Sequence, residues 1–353
     1  MAAADPFTKQ GGRILNGRER ILATLRGEPT EGRLPHIPIS MMIAAQTIGE
    51  RYGAYIRDAR VHARGQLAFA EAWDVDHVSA ISCPTTEAAD LGATVVYYED
   101  QPPAIDERDA LLADKAKLAR LRPIPPGPRM TKRLDTLRHL AEGVKGERLV
   151  EGWVEGPTAE SCDLRGINAF MLDLFDDPPF VQGLMALVFE NAMGFARLQR
   201  EAGAEIMGVG DAASSLLGPD LYREHVWRWQ QRYVDALHEM GLLVRLHICG
   251  NTTPILSMLR EVAADVLDLD WMVPLDVARR EIGPERVLSG NIDPVRVLRN
   301  GSRAGVRQAL AGCYSAAGER RYAVNAGCEV PRDTPPENLA AMRDFARSPL
   351  APR

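Results

Sequence analysis

Short β-branched or apolar runs alternate with longer segments of helical spacing along most of this chain. The runs are "HIPISMMI" (36–43), "DHVSAIS" (76–82), "LVEGWVEGP" (149–157), "AEIMGVGD" (204–211), "LLVRLHICG" (242–250), "DVLDLDW" (265–271), "RVLSGNI" (286–292) and "YAVNAGC" (322–328). Between them lie amphipathic segments such as "PDLYREHVWRWQQRYVDALHEMG" (219–241) and "PENLAAMRDFARS" (336–348). Eight strand candidates alternating with helices predict an α/β fold, a (β/α)8 TIM barrel, with a doubly wound open sheet as its rival. "ATVVYYED" (93–100) reads as part of a hairpin insertion. The Pro-rich "LRPIPPGPRM" (121–130) reads as a connector and not as a domain boundary. Residues 1–353 are therefore expected to form one barrel domain, with 1–17 a flexible N-terminal segment.

Side chains alternate along a strand. In 243–249, Val244, Leu246 and Ile248 form the face toward the helices, so Arg245, His247 and Cys249 point into the barrel. In 265–271, Leu267 and Leu269 face the helices and Asp268 and Asp270 point inward. Glu155, Asp211, His247, Cys249, Asp270, Asn291 and Cys328 each sit at or near the end of a run, His247 and Cys249 sharing one. In a parallel barrel those ends converge on one mouth, where such folds keep their chemistry.

A His, two thiols and a carboxylate at one mouth make a tetrahedral zinc site, because thiolate and imidazole favour zinc over magnesium or calcium. His247, Cys249 and Cys328 are the strong ligands, and Asp270 is the candidate for a weaker, exchangeable fourth position. The competing reading is plain packing. A lone strand Cys is usually a buried apolar group, and H-x-C with a distant Cys lacks the local repetition of a zinc finger. Cys83, Cys162 and Cys313 keep the packing reading.

Composition narrows the classes. The chain is 46% hydrophobic and 25% charged, with a formal net charge of −6 and no dense basic run, so neither nucleic acid nor an anionic membrane is expected as a partner. No run of about 18 apolar residues occurs, which predicts no membrane-spanning helix. The first residues lack a signal-peptide core, and a cytoplasmic location is expected. Five cysteines, an odd and sparse set, argue against a disulfide framework.

"EGPTAESCDLRG" (155–166), "GDAASSLLGPDLYREHV" (210–226), "HICGNTTPIL", "DLDW", "LSGNIDPVRVL" and "NAGCEVPRDTPPENL", in that order, resemble the uroporphyrinogen decarboxylase superfamily over about residues 18–348. The resemblance implies a (β/α)8 barrel. The region "PHIPISMMIAAQTIGERYG" lacks the arginine pair with which the decarboxylases grip propionates, and Cys328 stands where they carry a His. "HICG" with Cys328 instead matches the zinc-containing, corrinoid-dependent methyltransferase branch, which includes methylcobalamin:coenzyme M methyltransferases. The resemblance implies His247, Cys249 and Cys328 as zinc ligands, with the branch's additional carboxylate falling on Asp270. It implies methyl transfer between a corrinoid (methylcobalamin) and a thiol, tetrahydrofolate or a methoxylated substrate. No D-x-H-x-x-G signature is present, so the corrinoid is expected on a separate protein. Asp270 and Glu155 are the candidate catalytic carboxylates, and Asp211, Ser215 and Asn291 the candidate substrate-binding residues. A decarboxylase and a non-catalytic zinc- or corrinoid-binding module stay open as alternatives. So does the oligomeric state, a homodimer included.

Overall fold

The computed structural model describes residues 14–349. Seven strands form one parallel sheet: β1 (His77–Ser79), β4 (Leu149–Glu155), β5 (Ile206–Gly210), β6 (Leu243–Ile248), β7 (Val266–Leu269), β8 (Val287–Ser289) and β9 (Tyr322–Ala323). The hairpin expected near 93–100 is a separate antiparallel pair, β2 (Val95–Val96) with β3 (Ala104–Ile105). Helices connect successive strands of the parallel sheet, for example Pro128–Val144 before β4 and Pro178–Glu201 before β5. The long segment 219–241 is helical but passes through a π turn at Tyr222–Val226 before continuing as Trp227–Glu239.

The first run, 36–43, fills the eighth place in the ring without becoming a regular strand. The Ile37 amide donates to the Val324 carbonyl and the Val324 amide to that of Pro35, while the Asp76 amide donates to the His36 carbonyl. This stretch thus joins β9 to the start of β1 and closes the barrel. Pro35 and Pro38 have no N–H to offer a ladder, which accounts for the irregular pairing. Of the expected N-terminal segment 1–17, residues 1–13 lie outside the described residues. Asn16 caps the helix Gly17–Arg26 in a reciprocal capping box with Glu19. That helix covers the lower end of the barrel through Ile21 and the Arg20–Asp76 ion pair of 2.7 Å.

The interior is layered as the two-residue alternation demands. At the lower end, Ile37, Leu149, Ile206, Val266, Val287 and Ala323 pack with Ile21 into an apolar plug. Two residues further along the strands the interior turns polar, with Glu151, Arg245, Asp268 and Asn325 all buried. Near the mouth Trp153 packs with Ile39 and Ile81. Its indole lies across β5, where a Cβ built on Gly208 would come within 2.1 Å of the ring. Glycine there is a requirement of close approach.

Gly208→Ala is therefore expected to destabilise the protein by about 1–3 kcal/mol through overpacking against a buried indole. Urea unfolding followed by Trp fluorescence checks this, and an unchanged midpoint would contradict it.

Candidate functional site

The parallel register sets the site. β5, β6 and β7 place Gly210, His247 and Asp268 side by side. His247 Nδ1 lies 3.2 Å from both the Asp268 carbonyl and its Oδ2, which leaves Nε2 facing the mouth. Asp268 is held in turn. Its Oδ2 accepts from Arg245 Nη2 at 2.8 Å and its Oδ1 from Asn325 Nδ2 at 2.7 Å. Arg245, 1% exposed, also reaches Glu151 Oε1 at 3.3 Å and the Ile37 carbonyl. Burial opposes each of these charges, and mutual attraction offsets it: Arg245 and His247 hold the Asp268 carboxyl far below the usual carboxylate range.

Cys249 follows β6 directly, and the chain turns at once through Gly250 (φ +90°), where a Cβ would meet Ser215 Oγ at 2.6 Å. Cys328 arrives from the segment after β9. That segment is pinned by the Gly327 amide donating to the Ile292 carbonyl and the Val330 amide donating to that of Ile39. His247 Nε2 is 3.1 Å from Cys249 Sγ, and the two sulfurs are 3.6 Å apart. The three donor atoms all lie within 4.8 Å of one another. Two thiolates on a tetrahedral zinc at about 2.3 Å would sit roughly 3.8 Å apart, and imidazole and thiolate roughly 3.5 Å, so the donor set and spacing fit that ion. The Cys328 thiol is pulled down to about 4 by a hydrogen bond from Cys249, against the effect of burial and with help from His247. A metal bound at these donors would displace the protons that the imidazole and thiols otherwise hold.

The other expected site residues divide. Asp270 does not join the three donors; its Oδ1 accepts from the Met272 amide at 2.9 Å, within its own turn. Asp211, expected at the substrate, is fully buried and caps the helix Pro157–Arg165, accepting from the Thr158 and Ala159 amides. Its other oxygen accepts from Ser214 Oγ and Gln230 Nε2. Asn291, also expected at the substrate, clamps the loop after β7 by donating to the carbonyls of Asp270 and Val273. At both places a polar strand end serves a neighbouring helix or loop.

Glu155 and Ser215 do line a cavity of about 470 Å³, and Cys249 and Gly250 form part of the same wall. Glu107, Cys162 and Asp163 complete its polar lining, with Ile105, Ile167 and Leu216 among the apolar residues. Glu155 accepts from Trp153 Nε1 at 2.9 Å, yet burial holds its carboxyl well above the usual range, and the carboxyls of Glu87 and Asp163 add to this. Asp163 is pushed up to about 8, by burial first and then by Glu87, Cys83 and Glu107. Sequence reasoning missed this acidic wall, and it missed the Arg245–Asp268 support. The alternation had already turned Arg245 and Asp268 inward, so their shared face was the available signal.

A closed parallel barrel with convergent donors at the C-terminal ends of its strands has the layout of a barrel enzyme. The chain belongs to the uroporphyrinogen decarboxylase (URO-D) family, whose sequence profile matches residues 16–349. It is 26% identical over 339 residues to the methylcobamide:CoM methyltransferase MtbA of Methanosarcina acetivorans, covering 94% of this chain and 97% of that protein. It is 33% identical over 180 residues to the uroporphyrinogen decarboxylase of Rhodococcus opacus, covering 50% of each. Among solved structures, a methyltransferase from Methanosarcina mazei superposes with a TM-score of 0.80 at 21% identity, over 94% of this chain and 98% of that one. At that identity the likeness shows the fold alone.

Asp268→Asn should weaken zinc binding about 10–100-fold by loosening the orientation of His247. Competition with a chromophoric chelator measures this, and unchanged affinity would contradict the supporting role.

Proposed function

We propose that this chain is a zinc-dependent methyltransferase that moves a methyl group between a corrinoid, carried by a separate protein, and a thiol, tetrahydrofolate or methoxylated small molecule. The observation that carries this reading is the meeting of His247 Nε2, Cys249 Sγ and Cys328 Sγ within 4.8 Å of one another, at the mouth of the barrel. The relatives named for methyl transfer between a methylcobamide and CoM, matched along nearly their whole length, support it. Three strong donors, with no fourth grouped beside them among the described residues, leave room for an exchangeable group, the arrangement of a catalytic zinc as opposed to a structural one. A zinc ion bound there would lower the pKa of an incoming thiol and so supply a nucleophile at neutral pH.

The protein's own residues do the rest. Asp268 fixes the His247 ring so that Nε2 faces the donors, and Arg245 keeps Asp268 ionised in a buried position. The cavity beside Cys249 orients the small molecule and limits water at the reacting atoms. Leu216, Trp271 and Met272, exposed on loops after the strand ends, offer apolar contact to a corrinoid-carrying partner docked over the mouth. No helix of the described residues is long and apolar enough to cross a membrane.

The decarboxylase alternative meets two obstacles. A porphyrinogen's carboxylates need fixed cationic partners, and the cavity wall carries Glu107, Glu155 and Asp163 with no Lys or Arg among its described residues. The thiol pair has no part in a metal-independent decarboxylation.

Purified protein should carry about one zinc per chain, as its single ligand set implies. Cys328→Ala should lose both the zinc and turnover with methylcobalamin and a panel of thiols. Full activity in zinc-free protein would overturn the reading.

A further inference from the structure

The cavity beside Cys249 is apolar over most of its wall. Pro84, Ile105, Ala159, Ile167, Ala213 and Leu216 line it, and among the described residues no Lys, Arg or His does. A carboxylate or sulfonate buried there would have no cationic partner. Glu155 shares a row of the sheet with the metal donors: it pairs with Gly210, and Gly210 with His247. Gly210 has no side chain to fill the space between. A Cβ there would meet the Trp153 indole at 2.8 Å and Glu155 Oε2 at 3.2 Å, so the carboxyl lies over β5. Trp153 Nε1 donates to Oε1 at 2.9 Å, and Oε2 accepts no hydrogen bond among the described residues. Unlike the oxygens of Glu160, Oε2 is not sealed from the cavity that Glu155 lines. Burial, with Glu87 and Asp163 alongside, favours the proton-bearing form of this carboxyl; Arg133 opposes it but is engaged by Glu87, Thr86 and two backbone carbonyls. A neutral carboxylic acid in an apolar site is a hydrogen-bond and proton donor.

Proton accounting separates the two directions of methyl transfer. Methylating a thiol releases a proton, which a base must take. Removing a methyl group from an ether requires a proton for the oxygen left behind. We propose that the cavity takes a neutral aryl methyl ether and that Glu155 is the catalytic acid that protonates its departing oxygen. The inference rests on the metal-centred reading above and names one of its substrate classes and the direction of transfer. The ring lies against the apolar walls of a cavity of about 470 Å³, with the ether oxygen between Glu155 Oε2 and the metal donors. The carbon–oxygen bond breaks with its electron pair on oxygen. The methyl carbon bonds to the cobalt(I) of a reduced corrinoid on the partner protein, whose own electron pair forms that bond. The Glu155 proton passes to the oxygen and gives a phenol, and the carboxylate regains a proton from water as the product departs. Coenzyme M, with its sulfonate, and tetrahydrofolate, with its glutamate carboxylates, would each bring negative charge to a wall without a cation.

Two measurements on the full-length, zinc-loaded protein test this. In a calorimetric titration, 4-methoxybenzamide should bind about tenfold or more tighter than 4-methoxybenzoate, its near-isostere with a charge. The second is demethylation by free cob(I)alamin, followed by the absorbance of methylcobalamin. Wild-type rates should differ little between 2-methoxyphenol and 4-nitroanisole, whose nitrophenolate leaves without needing a proton. Glu155→Gln should slow the 2-methoxyphenol reaction about 100-fold or more and the 4-nitroanisole reaction by less than about tenfold, a rescue that a merely structural loss would not produce. The wild-type comparisons hold whether or not the variant folds. Equal or tighter binding of the benzoate, wild-type rates that climb steeply with leaving-group acidity, or equal losses on both ethers in the variant would overturn the proposal. Methylation of thiols by methylcobalamin with neither ether demethylated would overturn it too, while leaving the metal-centred reading intact. If the zinc-loaded protein catalyses neither reaction, that reading fails and this inference falls with it.

Discussion

The Asp268 carboxylate is the interaction on which the rest of the site depends. It lies between Arg245 and His247 in a layer of the barrel that solvent does not reach. Ionised and buried, it is tolerable only because Arg245 compensates its charge, while Asn325 fills its remaining oxygen. In return it sets which ring nitrogen of His247 bears a proton and which faces the mouth. The arrangement needs the parallel register of β6 on β7, since a shift of one residue would turn every inward side chain outward. Glu151, reached from the other side of Arg245, extends the same chain of charges across to β4.

The mouth built over this layer has two unlike halves. On one side are soft donors, an imidazole and two sulfurs, delivered from the strand ends of β6 and β9. On the other is the helix Pro157–Arg165, whose Asp163 lines the same cavity as Glu155. Asp211 links the halves mechanically. By capping that helix it anchors the acidic wall to the end of β5, the strand that neighbours His247.

Much of this was legible from the chain itself. The eight runs and their order marked the barrel, and seven of them form strands close to the expected places. The departure, at 36–43, follows from Pro35 and Pro38, whose missing amides could have been weighed against the β-branched pattern. H-x-C on one strand face, with a distant Cys at another strand end, picked out the three side chains that the structure brings together. Their partners were harder to see because alternation reports a face but not a register, so Arg245 and Asp268 were inward-facing without being known neighbours. The partners of Asp211 and Asn291 were hidden for a related reason: a capped helix N-terminus and a clamped loop are tertiary demands with no local signature. Asp163 lay on a helix that sequence alone could not orient toward the cavity.

Zinc K-edge absorption fine structure of the purified protein tests the central claim most directly. Two sulfur scatterers at about 2.3 Å and one imidazole nitrogen at about 2.0 Å, with a single lighter atom completing the shell, are the result expected from His247, Cys249 and Cys328. A shell of oxygen and nitrogen alone, or one with a single sulfur, would contradict it.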